Sequence, residues 1–194
     1  WVRRFGFGMP TGIDLAGEER GLVLRHQQYS GSSMGNMPIG QGLAVTPMQM
    51  ATAYAAIANG GILRPPRVVE RVGDTPAPEP AGKRIISAKT AASLRTMLEG
   101  VIGPGGTAAE AAIPGYDLAG KTGTAQKIDP QTGEYSKSNF VGSFIGFAPA
   151  KRPKLLVAVV VDEPRNAYYG GVVAAPAFQE ILNFALPYMK IPPS

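Results

Sequence analysis

The sequence predicts an α+β fold in which helices come first and an antiparallel sheet, covered by a last helix, follows. Three observations carry that reading. Residues 48–59 are alanine-rich and apolar nearly all round, the pattern of a helix buried on several sides. Residues 116–127, 139–147 and 155–161 are strand-like stretches joined by short connections, which favours an antiparallel meander. Residues 173–189 then place Phe178, Ile181, Leu182, Ala185 and Leu186 on one side of a closing helix. Helices followed by a meander argue against a repeating strand–helix–strand architecture.

Taken in order, residues 5–15 are punctuated by glycine and proline, with Gly6 and Gly8 suited to end a helix and turn the chain. Residues 17–35 are polar and irregular, and read as a loop. Thr46 is placed to cap the helix over 48–59, with Pro47 at the first helical position, where its missing N–H costs nothing. The run Arg67–Val72 reads as a short strand, and the proline-rich residues 75–80 as an exposed connection. Ser87 caps a predicted helix through Val101, whose stripe is Ala91, Leu94, Met97, Leu98 and Val101. Residues 103–106 break it, and Thr107 is expected to cap a short helix through Ala112. Leu155–Val161 is a continuous β-branched and apolar run, predicting a strand covered on both faces.

Composition narrows the function classes. The 194 residues can form one domain with a sizeable core, and 44% hydrophobic with 17% charged residues is a globular balance. The absence of cysteine excludes disulfides, thiolate nucleophiles and zinc–cysteine sites. His26 stands alone in a polar run, which argues against triad or metal chemistry built on it; no metal and no cofactor are expected. The net charge of +5 comes from dispersed Lys and Arg, so a basic surface is expected rather than a nucleic-acid groove. No apolar run has the length that spans a bilayer, and no signal peptide is seen. The chain opens Trp1-Val2-Arg3-Arg4-Phe5 without an initiator methionine, in the pattern of the end of an amphipathic helix, and is expected to be a piece of something longer.

The chemistry concentrates in Ala119-Gly120-Lys121-Thr122-Gly123-Thr124-Ala125-Gln126-Lys127. In an extended chain alternate side chains leave the same face, so the hydroxyls of Thr122 and Thr124 point the same way, and Lys121 beside them adds a positive charge. Gly123 between them has no Cβ, which would let another molecule's backbone approach the strand. A carboxylate-bearing extended peptide suits such a strand. Lys-Thr-Gly alone is also compatible with an ordinary strand end.

Several further blocks make the case stronger. They are Phe5-Gly6-Phe7-Gly8 with Pro10-Thr11-Gly12-Ile13-Asp14, Ile39-Gly40-Gln41-Gly42, Val45-Thr46-Pro47-Met48-Gln49 and Ala55-Ala56-Ile57-Ala58-Asn59-Gly60-Gly61. Later come Phe144-Ile145-Gly146-Phe147-Ala148-Pro149, Asp162-Glu163-Pro164 and Tyr168-Tyr169-Gly170-Gly171. With the Lys-Thr-Gly strand they resemble, in order and over essentially the whole chain, the C-terminal part of the transpeptidase domain of class B penicillin-binding proteins. The resemblance implies a penicillin-binding-protein/β-lactamase-like transpeptidase fold and a peptidoglycan D,D-transpeptidase working through a serine acyl-enzyme. It implies that Lys121 supplies positive potential, that Thr122, Gly123 and Thr124 bind the substrate carboxylate, and that the Thr124 N–H is one oxyanion donor. Tyr168 and Tyr169 resemble an aromatic wall beside the site, with core packing as the alternative. Tyr135, placed in the connection after the motif strand, could close over substrate, although packing is the plainer reading. Gln41 reads as part of a buried turn, and Asp162 with Glu163 as structural.

The implied partners are D-Ala-D-Ala stem peptides, β-lactams, the upstream half of the same protein and other cell-wall synthesis proteins such as a glycosyltransferase. The implied location is the extracytoplasmic face of the bacterial cell membrane, anchored outside this chain. The family's Ser-x-x-Lys and Ser-x-Asn motifs occur nowhere among the 194 residues and are expected upstream. Lys-Thr-Gly is shared by D,D-carboxypeptidases and serine β-lactamases, and a catalytically inert or partner-binding half is the further alternative. The isolated 194-residue chain is therefore expected to form no covalent adduct with a fluorescent penicillin. A stoichiometric mass increase on that chain would show that it carries a nucleophile of its own.

Overall fold

The computed structural model describes residues 1–194, which form two compact units, Trp1–Ala88 and Lys89–Ser194. The first unit is made of short elements. A 3₁₀ turn over Val2–Phe5 is ended by Gly6 in the left-handed region. β1 (Leu22–Val23) pairs antiparallel with β2 (Leu43–Ala44); 3₁₀ turns and the short α1 (Ser33–Asn36) lie between them. The helix α2 (Pro47–Ala58) follows, then β3 (Ile62–Leu63), the hairpin of β4 (Arg71–Val72) with β5 (Thr75–Pro76), and β6 (Lys83–Arg84), which pairs with β3.

Buried polar groups hold this unit together. Thr46 and Gln49 form a reciprocal capping box: Gln49 N–H donates to Thr46 Oγ1 at 3.1 Å, and Thr46 N–H to Gln49 Oε1 at 3.0 Å. The same amide, 2% exposed, donates through Nε2 to Met9 O at 2.8 Å and Arg20 O at 2.9 Å. One side chain thus starts the helix and ties two loops to it, with every strong hydrogen-bonding group satisfied. The strand expected over Arg67–Val72 is reduced to its last two residues. Val68 and Val69 instead give their N–H groups to the two oxygens of Asp14, at 2.7 and 2.9 Å. These bonds, Val68's first, hold the Asp14 carboxyl below the usual carboxylate range. Gln49, Thr52, Ala53 and Ala56 are the most deeply buried residues of α2, and its other residues from position 50 to 58, Ala55 among them, are half-buried, so the helix is covered on several sides.

The second unit begins with α3 (Ala88–Glu99) and a 3₁₀ turn over Ala109–Ala111. Its sheet is the antiparallel meander β7 (Ala119–Ile128), β8 (Tyr135–Ala148) and β9 (Leu155–Asp162), in that order, with β8 central. The chain then makes one turn, α4 (Gly170–Val173), before α5 (Ala175–Tyr188). The expected single helix over 173–189 thus starts earlier and is interrupted at Ala174. Phe144, Phe178, Leu182 and Leu186 are fully buried, and the Phe144 and Phe178 rings meet edge-on at 4.6 Å between centroids. That close helix–sheet contact requires Gly146, where a Cβ would lie 2.9 Å from the Phe178 ring.

Three stripe assignments change. Ile181 is 45% exposed, because at about 100° per residue it falls roughly 100° from the centre of the Ala175, Phe178, Leu182 and Leu186 face. Met97, 69% exposed, lies roughly 90° from the centre of the Ala91, Leu94 and Leu98 line for the same reason. β9 is covered on one face only: Val157, Val159 and Val161 join the core, whereas Val160 is 41% exposed. Its β-branched residues satisfy strand geometry on both faces and burial on one.

Ala56 is 1% exposed, so Ala56→Asp forces an unpaired carboxylate into the unit's interior at a cost of several kcal/mol. That is a large share of the roughly 5–15 kcal/mol that holds a domain folded. Thermal denaturation is expected to show a severe loss for Ala56→Asp and a smaller one for half-buried Ala55→Asp. Equal melting temperatures for the two variants would contradict this assignment of the buried face.

Candidate active site

β7 is an edge strand, so one side of its backbone is free of sheet pairing. Thr122 and Thr124 stand on the same face of it, and both line a cavity of about 430 Å³. The cavity is completed by the Gly106–Glu110 loop and by Tyr169, Gly170, Gly171 and Val172.

Each hydroxyl is held differently. Gly170 N–H donates to Thr124 Oγ1 at 3.1 Å. Lys121 Nζ donates to Thr122 Oγ1 and to Thr122 O, both at 3.1 Å. Thr107 Oγ1 lies 3.2 Å from Thr122 Oγ1, so these two hydroxyls share a hydrogen bond in either direction. Thr107 therefore does not cap a helix: the turn after it starts from Ala108 with no side-chain cap, and the threonine points to the motif strand instead.

The two glycines after Tyr169 make this packing possible. A Cβ on Gly170 would collide with Ser143 O and Gly123 O, and one on Gly171 with Thr107 O. Only residues without a Cβ bring α4 against β7, β8 and the Thr107 loop together.

The remaining expected site residues separate. Gly123 lies opposite Ser143, and a Cβ there would stand 2.5 Å from Ser143 Oγ. The missing side chain thus also makes room for Ser143 within the sheet. Tyr169 lines the cavity. Tyr168 stacks on Phe140 at 4.2 Å and 15°, with its hydroxyl 3.4 Å from that of Tyr169, so the pair is half wall and half packing. The hydroxyl contact to Tyr169 raises the Tyr168 pKa. Tyr135 is not in a connection: it opens β8, paired with Ile128 beyond an irregularity in β7, and does not line the cavity. Lys127 forms ion pairs with Glu163 at 2.7 Å and Asp162 at 3.1 Å, which raise its pKa and tie the far end of β7 to the end of β9. The acid pair at 162–163 is structural, as its sequence context indicates.

Thr107 and Glu110 were not legible as site residues. Their only local signal is a glycine-rich break before a short turn, and what brings them to β7 is tertiary contact. Chemically, the cavity offers hydroxyls to a ligand with acceptor oxygens under an aromatic rim, and the Lys121 ammonium adds positive charge behind the Thr122 hydroxyl.

Residues 1–183 match the family described as Penicillin binding protein transpeptidase domain. Penicillin-binding protein PbpB of Mycolicibacterium smegmatis is 41% identical over 207 residues, covering 98% of this chain and 32% of the relative. Peptidoglycan D,D-transpeptidase FtsI of Escherichia coli is 39% identical over 191 residues, covering 98% and 31%. Among solved structures, penicillin-binding protein 3 of Mycobacterium tuberculosis complexed with ampicillin superposes with a TM-score of 0.91 at 39% identity, covering 100% of this chain and 46% of that one. The transpeptidase domain of penicillin-binding protein 3 from Burkholderia pseudomallei gives 0.87 at 36%, covering 100% and 57%. The chain spans about a third of the length of the curated relatives it matches. It belongs to the penicillin-binding protein transpeptidase domain family.

Proposed function

We propose that this chain is the C-terminal portion of a transpeptidase domain and supplies the Lys-Thr-Gly wall of a serine-type peptidoglycan D,D-transpeptidase. The observation that carries the reading is that Thr122 and Thr124 line one cavity at the free edge of β7, with the Lys121 ammonium hydrogen-bonded to the Thr122 hydroxyl. Relatives named peptidoglycan D,D-transpeptidases, and one solved with ampicillin, support the substrate class. In this reading the nucleophilic serine and its Ser-x-x-Lys lysine come from residues outside the 194.

The chemistry then runs as acyl transfer. The serine oxygen attacks the penultimate D-Ala carbonyl of a stem peptide, the terminal D-Ala leaves as the amine, and a neighbouring stem peptide's amine takes the acyl group. Thr122 and Thr124 hold the terminal carboxylate, and Lys121 places a positive charge beside it. The Thr124 N–H and the N–H of the serine stabilise the oxyanion, where losing one donor typically costs roughly 10²–10³ in rate. A β-lactam enters by the same route, its carboxylate in place of the D-Ala carboxylate. Tyr169 shields the cavity mouth. The work is extracytoplasmic, on a protein anchored in the bacterial membrane outside this segment and acting beside a glycosyltransferase that makes the strands to be cross-linked; no helix of this chain is long and apolar enough to cross a membrane.

Charge-assisted hydrogen bonds are worth about 1.5–3 kcal/mol each, or about ten- to over a hundredfold when made in the transition state. In the full-length protein, Thr122→Val and Thr124→Val are expected to slow penicillin acylation by that order, with little change in melting temperature. Lys121→Ala is expected to cost at least as much. Second-order acylation rates within about twofold of the parent for both valine variants, well below the loss expected for those bonds, would remove the basis of this assignment.

A further inference from the structure

Thr122 Oγ1 has one hydrogen and two lone pairs. One lone pair accepts Lys121 Nζ–H at 3.1 Å. What remains is shared with Thr107 Oγ1 at 3.2 Å. When Thr122 donates its hydrogen to an anion, its second lone pair is open to a donor, and the Thr107 hydroxyl at 3.2 Å can fill it.

We propose that Thr107 is a positioning residue for substrate binding, a hydroxyl that donates to Thr122 Oγ1 and so leaves the Thr122 O–H to be aimed at an entering carboxylate. The proposal rests on the reading of Thr122 as a carboxylate ligand. The filled arrangement is a chain, Thr107 O–H to Thr122 Oγ1 and Thr122 O–H to the carboxylate, with Lys121 donating to the same Oγ1. Donation into Oγ1 polarises its O–H and strengthens the bond to the anion.

The loop around Thr107 is built to hold that hydroxyl still. Ala108 is buried and donates its N–H to Val101 O at 3.0 Å, and Gly106 donates to Gly103 O at 2.9 Å. On the other side, Gly171 lies so close to Thr107 O that a Cβ would collide with it. The backbone is thus fixed before and after the threonine while its side chain faces the cavity. A residue serving only as loop surface would need neither the hydroxyl nor the enclosure.

The test uses the full-length protein and the second-order acylation rate with a fluorescent penicillin, alongside melting temperatures. Thr107→Val and Thr107→Ala are expected to slow acylation by about three- to tenfold, the worth of one neutral hydrogen bond, without a matching loss of stability. Thr107→Ser should restore the rate. In a Thr122→Val background, Thr107→Val should add less than about twofold, because the group it positions is gone. Three results would overturn the proposal: unchanged rates for both Thr107 variants, no rescue by serine, or the same fold-loss in the Thr122→Val background. If Thr122→Val itself left acylation unchanged, the carboxylate reading of Thr122 would fall first, and this proposal with it.

Discussion

The contact on which the second unit depends is the approach of Gly170 to the sheet. Its Cα lies where any side chain would strike Ser143 O and Gly123 O, on two neighbouring strands at once. From that position its N–H reaches Thr124 Oγ1. The same approach sets Tyr169 at the cavity rim, starts α4 and delivers the chain to α5, whose Phe178, Leu182 and Leu186 close the core. Backbone packing at one point therefore fixes the strand hydroxyl, the aromatic rim and the covering helix together. A methyl group at residue 170 would push the helix and the strand apart, and the site would open even though no functional side chain had changed.

Charge is distributed along β7 with a similar economy. Lys127 is neutralised by two carboxylates from the end of β9 and serves as a brace. Lys121, six residues earlier on the same strand, pairs with no carboxylate and gives its hydrogen bonds to Thr122 instead. Two residues of one type on one strand thus have opposite roles, decided by what the neighbouring strand ends supply. Because Lys121 has no partner carboxylate, its charge is not cancelled locally.

Much of this was legible because it is local. Thr46-Pro47 announces a helix start, and the three strand stretches with short connections announce a meander; both depend on residues close in sequence. The two-residue spacing of Thr122 and Thr124 is likewise enough to put both hydroxyls on one face. What escaped depends on residues far apart. Arg67–Val72 has strand composition, yet Asp14 takes the N–H groups of Val68 and Val69 from more than fifty positions away. Ile181 and Met97 are apolar and near the right spacing, but a helix face is a matter of angle, and each is about a quarter-turn off. That Gly123 also makes room for Ser143 is likewise invisible in the sequence, because the pairing is between strands. Thr107 looked like a cap because caps are the commonest use of threonine before a short turn, and only the fold shows it reaching Thr122.

The two motif hydroxyls, alike in sequence, differ in how they are prepared for a ligand. Thr124 Oγ1 accepts from a backbone N–H, a donor without a rotor, so one lone pair is occupied by the fold itself and its O–H is left to turn toward the cavity. Thr122 Oγ1 accepts from an ammonium at the end of a four-carbon stem and shares its remaining bond with another hydroxyl, so its orientation depends on two groups that both rotate. Preorganisation favours donors that need not move when charge arrives. On that ground Thr124 is the fixed hydroxyl of the pair and Thr122 the adjustable one. The enclosed Gly106–Ala108 loop restores to Thr122 part of the rigidity that Gly170 gives Thr124 directly. The strand supplies both hydroxyls by simple alternation, and the tertiary structure makes them unequal.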